Sequence, residues 1–222
     1  IADQNWMEAW KARYQPILVG ERLLILPAWL ESPDPNRIPV KIEPGMAFGT
    51  GTHPTTQLCL ELMEVHYDDG RQTTDRRPPS AVIDVGCGSG ILSIAALKLG
   101  AEKVLGVDID AESVKNSREN AALNGVGEEL ILGQGSVDEI LRGDFDFKSA
   151  PLVVANILAP VLIRLFDSGL ADLIAPRGEI ILSGILDHQA ESVVAAGNAK
   201  GLKLKDKRQM GDWVALKMSR DV

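Results

Sequence analysis

Hydrophobic and polar positions along the chain form two kinds of segment that alternate. Short apolar runs predict buried strands, and longer segments with apolar residues three or four positions apart predict helices. From residue 81 onward the two kinds follow one another, with strands predicted over 81–85, 103–108, 130–133, 151–156 and 178–183 and helices over 91–99, 112–123, 159–174 and 187–200. This alternation indicates an α/β fold, a doubly wound sheet that is mostly parallel and has helices on both faces.

The C-terminal segment departs from this alternation. Residues 202–218 predict two strands that turn at Gly211-Asp212, and such a hairpin adds an antiparallel strand at or near the edge of the sheet. Ligands of doubly wound sheets bind beyond the carboxyl ends of the parallel strands. We therefore expect the chemistry of this chain at the strand ends, which are residues 84–90, 108–110, 133–136 and Asn156.

Residues 1–43 predict a lead-in layer before the main domain, which we place at residues 44–222. A helix over residues 4–14 would carry Trp6, Met7, Trp10 and Tyr14 near one face. Two strands, over 23–26 and 38–42, are predicted to be joined by a Pro-rich turn. Because the first residue is not Met, we expect the chain to start inside a longer gene product in which another domain precedes it.

A glycine-rich turn after the first strand of the main domain carries the strongest functional signal. Val82-Ile-Asp-Val-Gly-Cys-Gly-Ser-Gly90 runs from strand to helix, and Asp108 ends the next strand. Glycines let the backbone approach a ligand closely, and a carboxylate at that strand end can accept hydrogen bonds from ribose hydroxyls. We predict a nucleoside site in which Gly86 and Gly88 contact the ligand, Asp108 holds the ribose and Ser136 and Val137 face the adenine; the other interpretation of Ser136 is a turn residue.

Two details of the turn identify the nucleoside. A dinucleotide site spaces its glycines G-x-G-x-x-G around a pyrophosphate, whereas Gly86, Gly88 and Gly90 are one residue more tightly spaced. Asp84, just before the turn, would repel a pyrophosphate but suits a cationic ligand. S-adenosylmethionine (AdoMet) carries an adenosine, a sulfonium and an ammonium group. We therefore predict AdoMet as the cofactor, in preference to NAD or to a turn that binds no ligand.

Asn156 is a polar residue within the apolar run Pro151-Leu-Val-Val-Ala-Asn-Ile-Leu-Ala-Pro160. At the carboxyl edge of the sheet, its side-chain carbonyl can accept a hydrogen bond from an amine and align the amine with a methyl carbon. The other interpretation is a cap of the helix predicted over 159–174. Amino-group methyltransferases with an Asn-Pro-Pro-aromatic motif have an Asn here. This chain lacks the prolines and the base-stacking ring, which disfavours a nucleobase acceptor.

The loop Gly49-Thr-Gly-Thr-His-Pro-Thr-Thr56 precedes a predicted amphipathic helix and is too rich in glycine and hydroxyl groups for a core. Residues 47–56 could close over the cofactor as a lid, with Thr52 or Thr56 donating to its carboxylate. His53 could accept the proton of the amine near neutral pH, or it could only stabilise the loop before the following proline. The loop is not a phosphate-binding Walker loop, since no Gly-Lys-[Ser/Thr] sequence occurs.

Composition narrows the class of protein. The 222 residues are 45% hydrophobic, enough for one domain with an appendage, and no apolar run reaches the roughly 20 residues of a membrane span. Two cysteines without metal-binding spacing indicate a reducing cytoplasm and no metal site; Cys87 is predicted to be a small loop residue rather than a catalytic thiol. The net charge of −8 disfavours a nucleic-acid substrate and suits a basic protein partner.

Four further runs of sequence occur together in one known family. They are Glu43-Pro-Gly-Met-Ala-Phe-Gly-Thr-Gly-Thr-His-Pro-Thr-Thr56, residues 82–101, Asn120-Ala-Ala-Leu-Asn-Gly125 and Val153-Val-Ala-Asn-Ile-Leu158. The glycine loop alone is typical of every class I methyltransferase, whereas the first and last runs together are far more specific. From about Trp6 onward, the chain closely resembles the bacterial ribosomal protein L11 methyltransferases.

The resemblance implies a Rossmann-like class I methyltransferase that transfers methyl groups from AdoMet to the N-terminal amine and lysine side chains of ribosomal protein L11. It implies cofactor contacts at Thr56, Gly86, Asp108 and Asn156. It also implies a small N-terminal domain that grips the substrate, which this chain is expected to lack. Lysines of another protein or a small-molecule amine are the alternative acceptors, and an AdoMet-binding module without catalysis is the alternative outside enzymes. The sequence predicts no oligomeric state.

Overall fold

The computed structural model describes residues 15–43, 50–69 and 80–220, and these residues confirm the predicted α/β fold. The strands and helices, in chain order, are β1 (Ile17–Val19), β2 (Leu23–Pro27), β3 (Ile38–Ile42), α1 (Pro54–Asp69), β4 (Ala81–Val85), α2 (Ile91–Leu99), β5 (Lys103–Asp108), α3 (Ala111–Leu123), β6 (Leu130–Gln134), α4 (Val137–Arg142), β7 (Ala150–Asn156), α5 (Ala159–Asp167), β8 (Ile174–Leu186), α6 (Ala190–Ala199), β9 (Leu202–Met210) and β10 (Trp213–Arg220).

The main sheet has seven strands in the order β6-β5-β4-β7-β8-β10-β9. The first five of these pair in parallel, and the C-terminal hairpin places β10 antiparallel to β8, with β9 at the edge. The strand order reverses between β4 and β7, because β5 and β6 lie on one side of β4 while β7 and β8 lie on the other. Ligands of such sheets bind at this switch point, beyond the carboxyl ends of the strands.

Successive side chains of each strand alternate between two cores, one on each face of the sheet. In β4, Val82 packs in one core and Ile83 and Val85 pack in the other, as the two-residue period of a strand requires. Helices α1 and α2 and strands β1 to β3 cover the first face, and helices α4, α5 and α6 cover the second. Burial on both faces explains why these strands are almost continuously apolar.

The lead-in segment forms a separate three-stranded sheet with β2 between β1 and β3. Strand β2 is antiparallel to β1 but parallel to β3. Two parallel strands require a connection that returns along their length, so residues 28–37 lead back from the end of β2 to the start of β3 instead of making a tight turn. The helix predicted over residues 4–14 lies outside the described residues, and β1 was not predicted.

The helix predicted over 159–174 was wrong in its second half. Helix α5 ends at Asp167, and Gly169 then adopts a left-handed backbone with φ of +98°. A single turn of 3₁₀ helix follows, and Ile174 begins β8. The apolar residues of this turn keep the helical spacing that misled the prediction, but the left-handed glycine ends the α-helix.

Three other elements differ from the prediction in length or in existence. Strand β8 is much longer than the predicted 178–183. The helix predicted over 187–200 begins as a 3₁₀ turn, Asp187–Gln189, and becomes α-helical only in α6. Helix α4 was not predicted, because its six residues are too few to show a helical period.

Within the described ranges, no helix is long and apolar enough to span a membrane. Nor do the described residues contain a group of three or more His, Cys, Asp or Glu side chains placed to hold a metal ion.

Candidate active site

A cavity of about 530 Å³ opens at the carboxyl ends of β4, β5, β7 and β8, at the switch point of the strand order. Its wall is mainly apolar with a few polar groups, as is typical of small-molecule sites. Six of the residues singled out from the sequence line it: His53, Gly86, Gly88, Asp108, Ser136 and Asn156. The fold therefore brings together residues that are up to 103 positions apart in the chain.

The glycine loop reaches the cavity because its glycines adopt a backbone conformation that other residues avoid. Gly86, Gly88 and Gly90 have φ values of +76°, +55° and +79°. A Cβ atom on Gly86 would lie 2.8 Å from Ile157 Cδ1, so a larger residue would displace the opposite wall. The Gly86 N–H donates to the Val107 carbonyl at 2.8 Å, which fixes the start of the loop on β5.

Asp108 ends β5 at the cavity, and the backbone already orients its carboxylate. Oδ2 accepts a hydrogen bond from the Gly88 N–H at 2.9 Å, and Oδ1 accepts one from the Asp110 N–H at 3.0 Å. Each carboxylate oxygen can accept a second hydrogen bond, so the side chain retains capacity for two ligand hydroxyls. The next residue, Ile109, is 76% exposed and gives the rim an apolar surface.

Asp84 lies beneath the glycine loop and is fully buried. Its Oδ2 accepts a hydrogen bond from Ser93 Oγ at 2.6 Å, while Oδ1 has no hydrogen-bond partner among the described residues. Burial raises the pKa of this carboxyl to about 7, although the Ser93 bond opposes the rise. Asp84 is therefore only partly charged at neutral pH. Because the glycine loop lies between Asp84 and the cavity, the carboxylate can attract a cationic ligand only across this loop.

The two cysteines of the chain are both buried. Cys87 lies in the glycine loop with its Sγ 3.5 Å from Ser117 Oγ, and Cys59 lies in α1. Burial raises the pKa of both thiols well above the ordinary value. A protonated, enclosed thiol is a poor nucleophile, so Cys87 fills space in the loop.

Asn156 ends β7 in the middle of the cavity wall. Its Nδ2 donates to Thr56 Oγ1 at 3.3 Å, while its buried Oδ1 has no hydrogen-bond partner among the described residues. A buried amide oxygen without a donor is costly, so this atom marks a place for a donor on a ligand. The interpretation of Asn156 as a helix cap was wrong, because Leu158 occupies the N-cap of α5.

Thr56 supports this amide from behind. It is fully buried and contacts Asn156, whereas the neighbouring Thr55 lines the cavity. The sequence motif thus places Thr56 next to the site, one layer behind the surface that a ligand touches.

His53 lies at the far side of the cavity from Asp108, where its ring packs edge-on against Trp213 at a centroid distance of 4.8 Å. Its Nδ1 lies 2.8 Å from Thr55 Oγ1 and accepts the Thr55 N–H at 3.3 Å. Because a backbone N–H can only donate, the neutral ring carries its proton on Nε2. A base acting through Nε2 would have to change tautomer and give up the Thr55 N–H bond.

The strand order divides the cavity into two halves that meet at Asn156. Asp108 is on β5 and Trp213 is on β10, and β7, which carries Asn156, lies two strands from each. With about 4.8 Å between neighbouring strands, the two ends are about 19 Å apart. The half toward β5 contains the glycine loop and Asp108, and the half toward β10 is walled by apolar side chains, including Leu158, Val161, Leu165 and Trp213.

Gly184 is a site residue that the sequence reasoning missed. It lines the cavity from β8 with φ of +82°, and a Cβ atom there would lie 2.5 Å from the Ile157 carbonyl oxygen. The Ile157 N–H donates to the Ser183 carbonyl at 3.0 Å, so β8 presses directly on the backbone beside Asn156. A glycine inside a strand can mark such a close approach, but the strand predicted over 178–183 ended before Gly184, so the prediction carried no such signal.

Of the two residues expected to face an adenine, only Ser136 reaches the cavity. Val137 is fully buried in the core. Ser136 also begins α4, with its N–H donating to Glu139 Oε2 at 2.9 Å, so it combines the expected turn position with a place in the wall.

The sequence model of one protein family, described as "Ribosomal protein L11 methyltransferase (PrmA)", matches residues 1–221. A relative from Thermosynechococcus vestitus named ribosomal protein L11 methyltransferase is 44% identical over 218 residues, which cover 97% of this chain and 70% of the relative. One with the same name from Photobacterium profundum is 45% identical over 195 residues, which cover 87% of this chain and 60% of the relative. These curated relatives are therefore longer than the chain.

A comparison with solved structures also finds a protein named for the methylation of ribosomal protein L11. The ribosomal protein L11 methylase from Lactobacillus delbrueckii subsp. bulgaricus is 34% identical with a TM-score of 0.78, over 94% of this chain and 100% of that chain. TrmN from Thermus thermophilus is 20% identical with a TM-score of 0.54, over 73% of this chain and 49% of that chain. The second likeness shows the Rossmann-like fold alone.

Proposed function

Because the chain belongs to the ribosomal protein L11 methyltransferase family, we propose that it transfers methyl groups from AdoMet to amino groups of ribosomal protein L11. The acceptors are the N-terminal amine and lysine side chains. The single observation that carries an amine acceptor is the buried Asn156 Oδ1, which lacks a donor among the described residues at the junction of the two halves of the cavity.

AdoMet suits the half of the cavity that lies toward β5. Gly86 lines this half without a side chain, Gly88 holds Asp108 in place, and Asp108 has acceptor capacity for the two ribose hydroxyls. Ile109 offers an apolar surface for the adenine. When bound, AdoMet supplies a methyl group on a positively charged sulfur, which the lone pair of an amine can accept in a single displacement.

Asn156 orients the amine for this reaction. Its Oδ1 accepts an amine N–H, and the bond from Nδ2 to Thr56 Oγ1 prevents the amide from turning away. A held amine reacts faster because little orientational freedom remains to be lost in the transition state. We assign Thr56 to the cofactor site through this bond, since the side chain itself is buried behind Asn156.

The half of the cavity toward β10 suits a lysine side chain. Its apolar wall can pack against the four methylene groups of lysine, at about 0.8 kcal/mol for each buried methylene. Trp213 can also attract the ammonium group through its ring face. Methylation keeps the positive charge of a lysine, so the same ring can hold the mono-, di- and trimethylated products. The net charge of −8 favours approach of a basic protein.

The amine must lose a proton before it can react, and His53 is the candidate base among the described lining residues. In the structure its Nδ1 accepts hydrogen bonds from Thr55, so the role requires Nε2 to lose its proton as the ring changes tautomer. Release of the proton directly to water is the other route, and the pH dependence of turnover separates the two.

Intact-mass measurement on purified L11, incubated with this chain in the presence and absence of AdoMet, tests the proposal. We expect L11 to gain mass in whole methyl steps only when AdoMet is present. Asn156→Ala serves as the matched control, since it should bind AdoMet and methylate L11 far more slowly. An unchanged L11 mass with a chain that binds AdoMet would contradict L11 as the substrate, and an oligonucleotide and free lysine in parallel reactions identify another acceptor.

The curated relatives extend beyond the region that matches this chain. If this additional part of a relative grips the substrate, a full-length relative should methylate L11 at a lower L11 concentration than this chain. Equal dependence on L11 concentration would argue against that role. A ribosomal protein substrate would place the reaction in the cytoplasm.

A further inference from the structure

The Asn120-Ala-Ala-Leu-Asn124 segment at the end of α3 has no part in the proposed chemistry, yet it binds the glycine loop. Asn120 is a fully buried polar residue. Its Nδ2 donates to the Ser89 carbonyl at 2.8 Å, and its Oδ1 accepts the Glu43 N–H at 2.9 Å. One amide group thus connects the glycine loop to the residue that follows β3.

Asn124, one helical turn later, makes an equivalent pair of bonds to β3, and its Nδ2 also donates to the Asn120 carbonyl at 2.8 Å. Its Oδ1 accepts the Lys41 N–H at 2.9 Å, and its Nδ2 donates to the Lys41 carbonyl at 2.6 Å. The two asparagines lie on the same face of α3 and use the same chemistry. Each NH₂ also donates to a residue four positions earlier, Asn116 Oδ1 for Asn120 and the Asn120 carbonyl for Asn124. The two differ in that the Asn120 NH₂ also binds the glycine loop, whereas the Asn124 NH₂ binds a strand outside the site.

A second contact from α3 holds the neighbouring carbonyl of the loop. Ser117 Oγ donates to the Gly88 carbonyl at 2.8 Å, so Ser117 and Asn120 together bind two consecutive carbonyl groups. The N–H of Gly88 points the other way and donates to Asp108 Oδ2. Helix α3 therefore fixes the outer side of the loop, while Asp108 organises its cavity side.

A glycine-rich loop needs such restraint because glycine loses more conformational freedom on ordering than any other residue. Bonds that hold the loop in its binding conformation before the ligand arrives reduce the entropy lost on binding. We propose that Asn120 is a positioning residue for cofactor binding, which sets AdoMet affinity by tying the Ser89 carbonyl to the Glu43 N–H. The identity of the cofactor in this inference rests on the proposed function.

A matched pair of isosteric variants tests this role. Asn120→Asp and Asn124→Asp each keep the accepting oxygen and replace the donating NH₂ with an oxygen, opposite the Ser89 carbonyl in one case and the Lys41 carbonyl in the other. By calorimetry, Asn120→Asp should raise the Kd for AdoMet roughly tenfold, the effect of one lost hydrogen bond. Asn124→Asp should leave the Kd within about twofold, although both variants should lower Tm.

The two measurements separate positioning from general stability. Equal changes in Kd for the two variants, or a folded Asn120→Asp with wild-type Kd, would overturn the inference. If Asn120→Asp does not fold, Asn120→Ala and Asn124→Ala replace the pair, with the same expected contrast. The Kd of the wild-type chain tests the proposed function separately, because absence of AdoMet binding there would refute the cofactor assignment, whereas the ratio of variant to wild type tests only the role of Asn120.

Discussion

Replacing Gly184 with alanine should strongly reduce methyl transfer as well as stability. The added Cβ would lie 2.5 Å from the Ile157 carbonyl oxygen and 2.6 Å from its carbonyl carbon, and ordinary contact begins at 3.4 Å. The Ile157 backbone therefore has to move by about 0.9 Å, which displaces the adjoining Asn156. A misplacement of about 1 Å at a reacting group can lower the rate about 100-fold, so we expect a loss of kcat of that order.

The chain contains a control for the backbone conformation alone. Gly201 has φ of +81°, almost the same as the +82° of Gly184, and a Cβ there would meet nothing within 4 Å. Gly201→Ala should cost about 1–2 kcal/mol of stability, the penalty of a left-handed alanine, and should keep wild-type kcat. Gly184→Ala should show the same penalty plus about 1–3 kcal/mol for overpacking.

Kinetics with L11 as substrate, AdoMet binding by calorimetry and urea unfolding together decide this prediction. Gly184→Ala should lose kcat because Ile157 adjoins the Asn156 amide, and its Kd for AdoMet should also rise, because the Ile157 side chain lies against Gly86 of the glycine loop. Wild-type kcat in Gly184→Ala would refute the argument that β8 positions Asn156. An equal loss in Gly201→Ala would show that backbone strain, and not contact with Ile157, is responsible.

Four further substitutions test individual side chains. Asn156→Ala should lower kcat about 100-fold with little change in AdoMet Kd; equal losses in both would make it a cofactor contact only. Asp108→Asn should raise AdoMet Kd about 10- to 100-fold, the effect of losing a charged hydrogen-bond acceptor, and calorimetry showing unchanged affinity would exclude the ribose role. His53→Ala should remove an ionisation from the pH–rate profile if the ring is the base, and an unaltered profile assigns proton release to water. Asp84→Asn removes a carboxyl whose pKa is raised to about 7 by burial, and such a carboxyl makes the wild type less stable as pH rises from about 4 to about 7. In urea unfolding, the free energy of unfolding of the variant relative to the wild type should therefore increase up to about pH 7 and stay constant above it. A difference that does not depend on pH would contradict the raised pKa.

The local sequence pattern was sufficient to predict the bounds of a helix or strand where turn residues border it on both sides. Helix α2 was predicted to the residue because Gly90 and Gly100 bracket it, and β4 and β5 were predicted because charged residues and glycines end their apolar runs. Gly86, Asp108 and Asn156 were found for the same reason, since each stands at the carboxyl end of a predicted strand. In a doubly wound sheet such ends converge, whatever the exact strand order.

Residues whose roles depend on the order of the strands were not found. Gly184 and Trp213 join the site only because β8 lies beside β7 and β10 lies beside β8, and nothing in the local pattern specifies those neighbours. The parallel pairing of β2 and β3 was missed for a similar reason, because the prolines between them indicate a break in structure but not the direction in which the chain returns. Val137 has the expected position in the sequence, but its side chain enters the core.

The burial of Cys59 and Cys87 provides two internal reporters of opening. Each thiol is shielded and protonated in the folded chain, so a thiol reagent can modify it only after the surrounding structure opens. Cys59, on the buried face of α1, should react at the rate of global unfolding, whereas Cys87 should react whenever the glycine loop detaches. The ratio of the two labelling rates, read residue by residue by mass spectrometry, would therefore measure how often the loop opens while the rest of the protein stays folded.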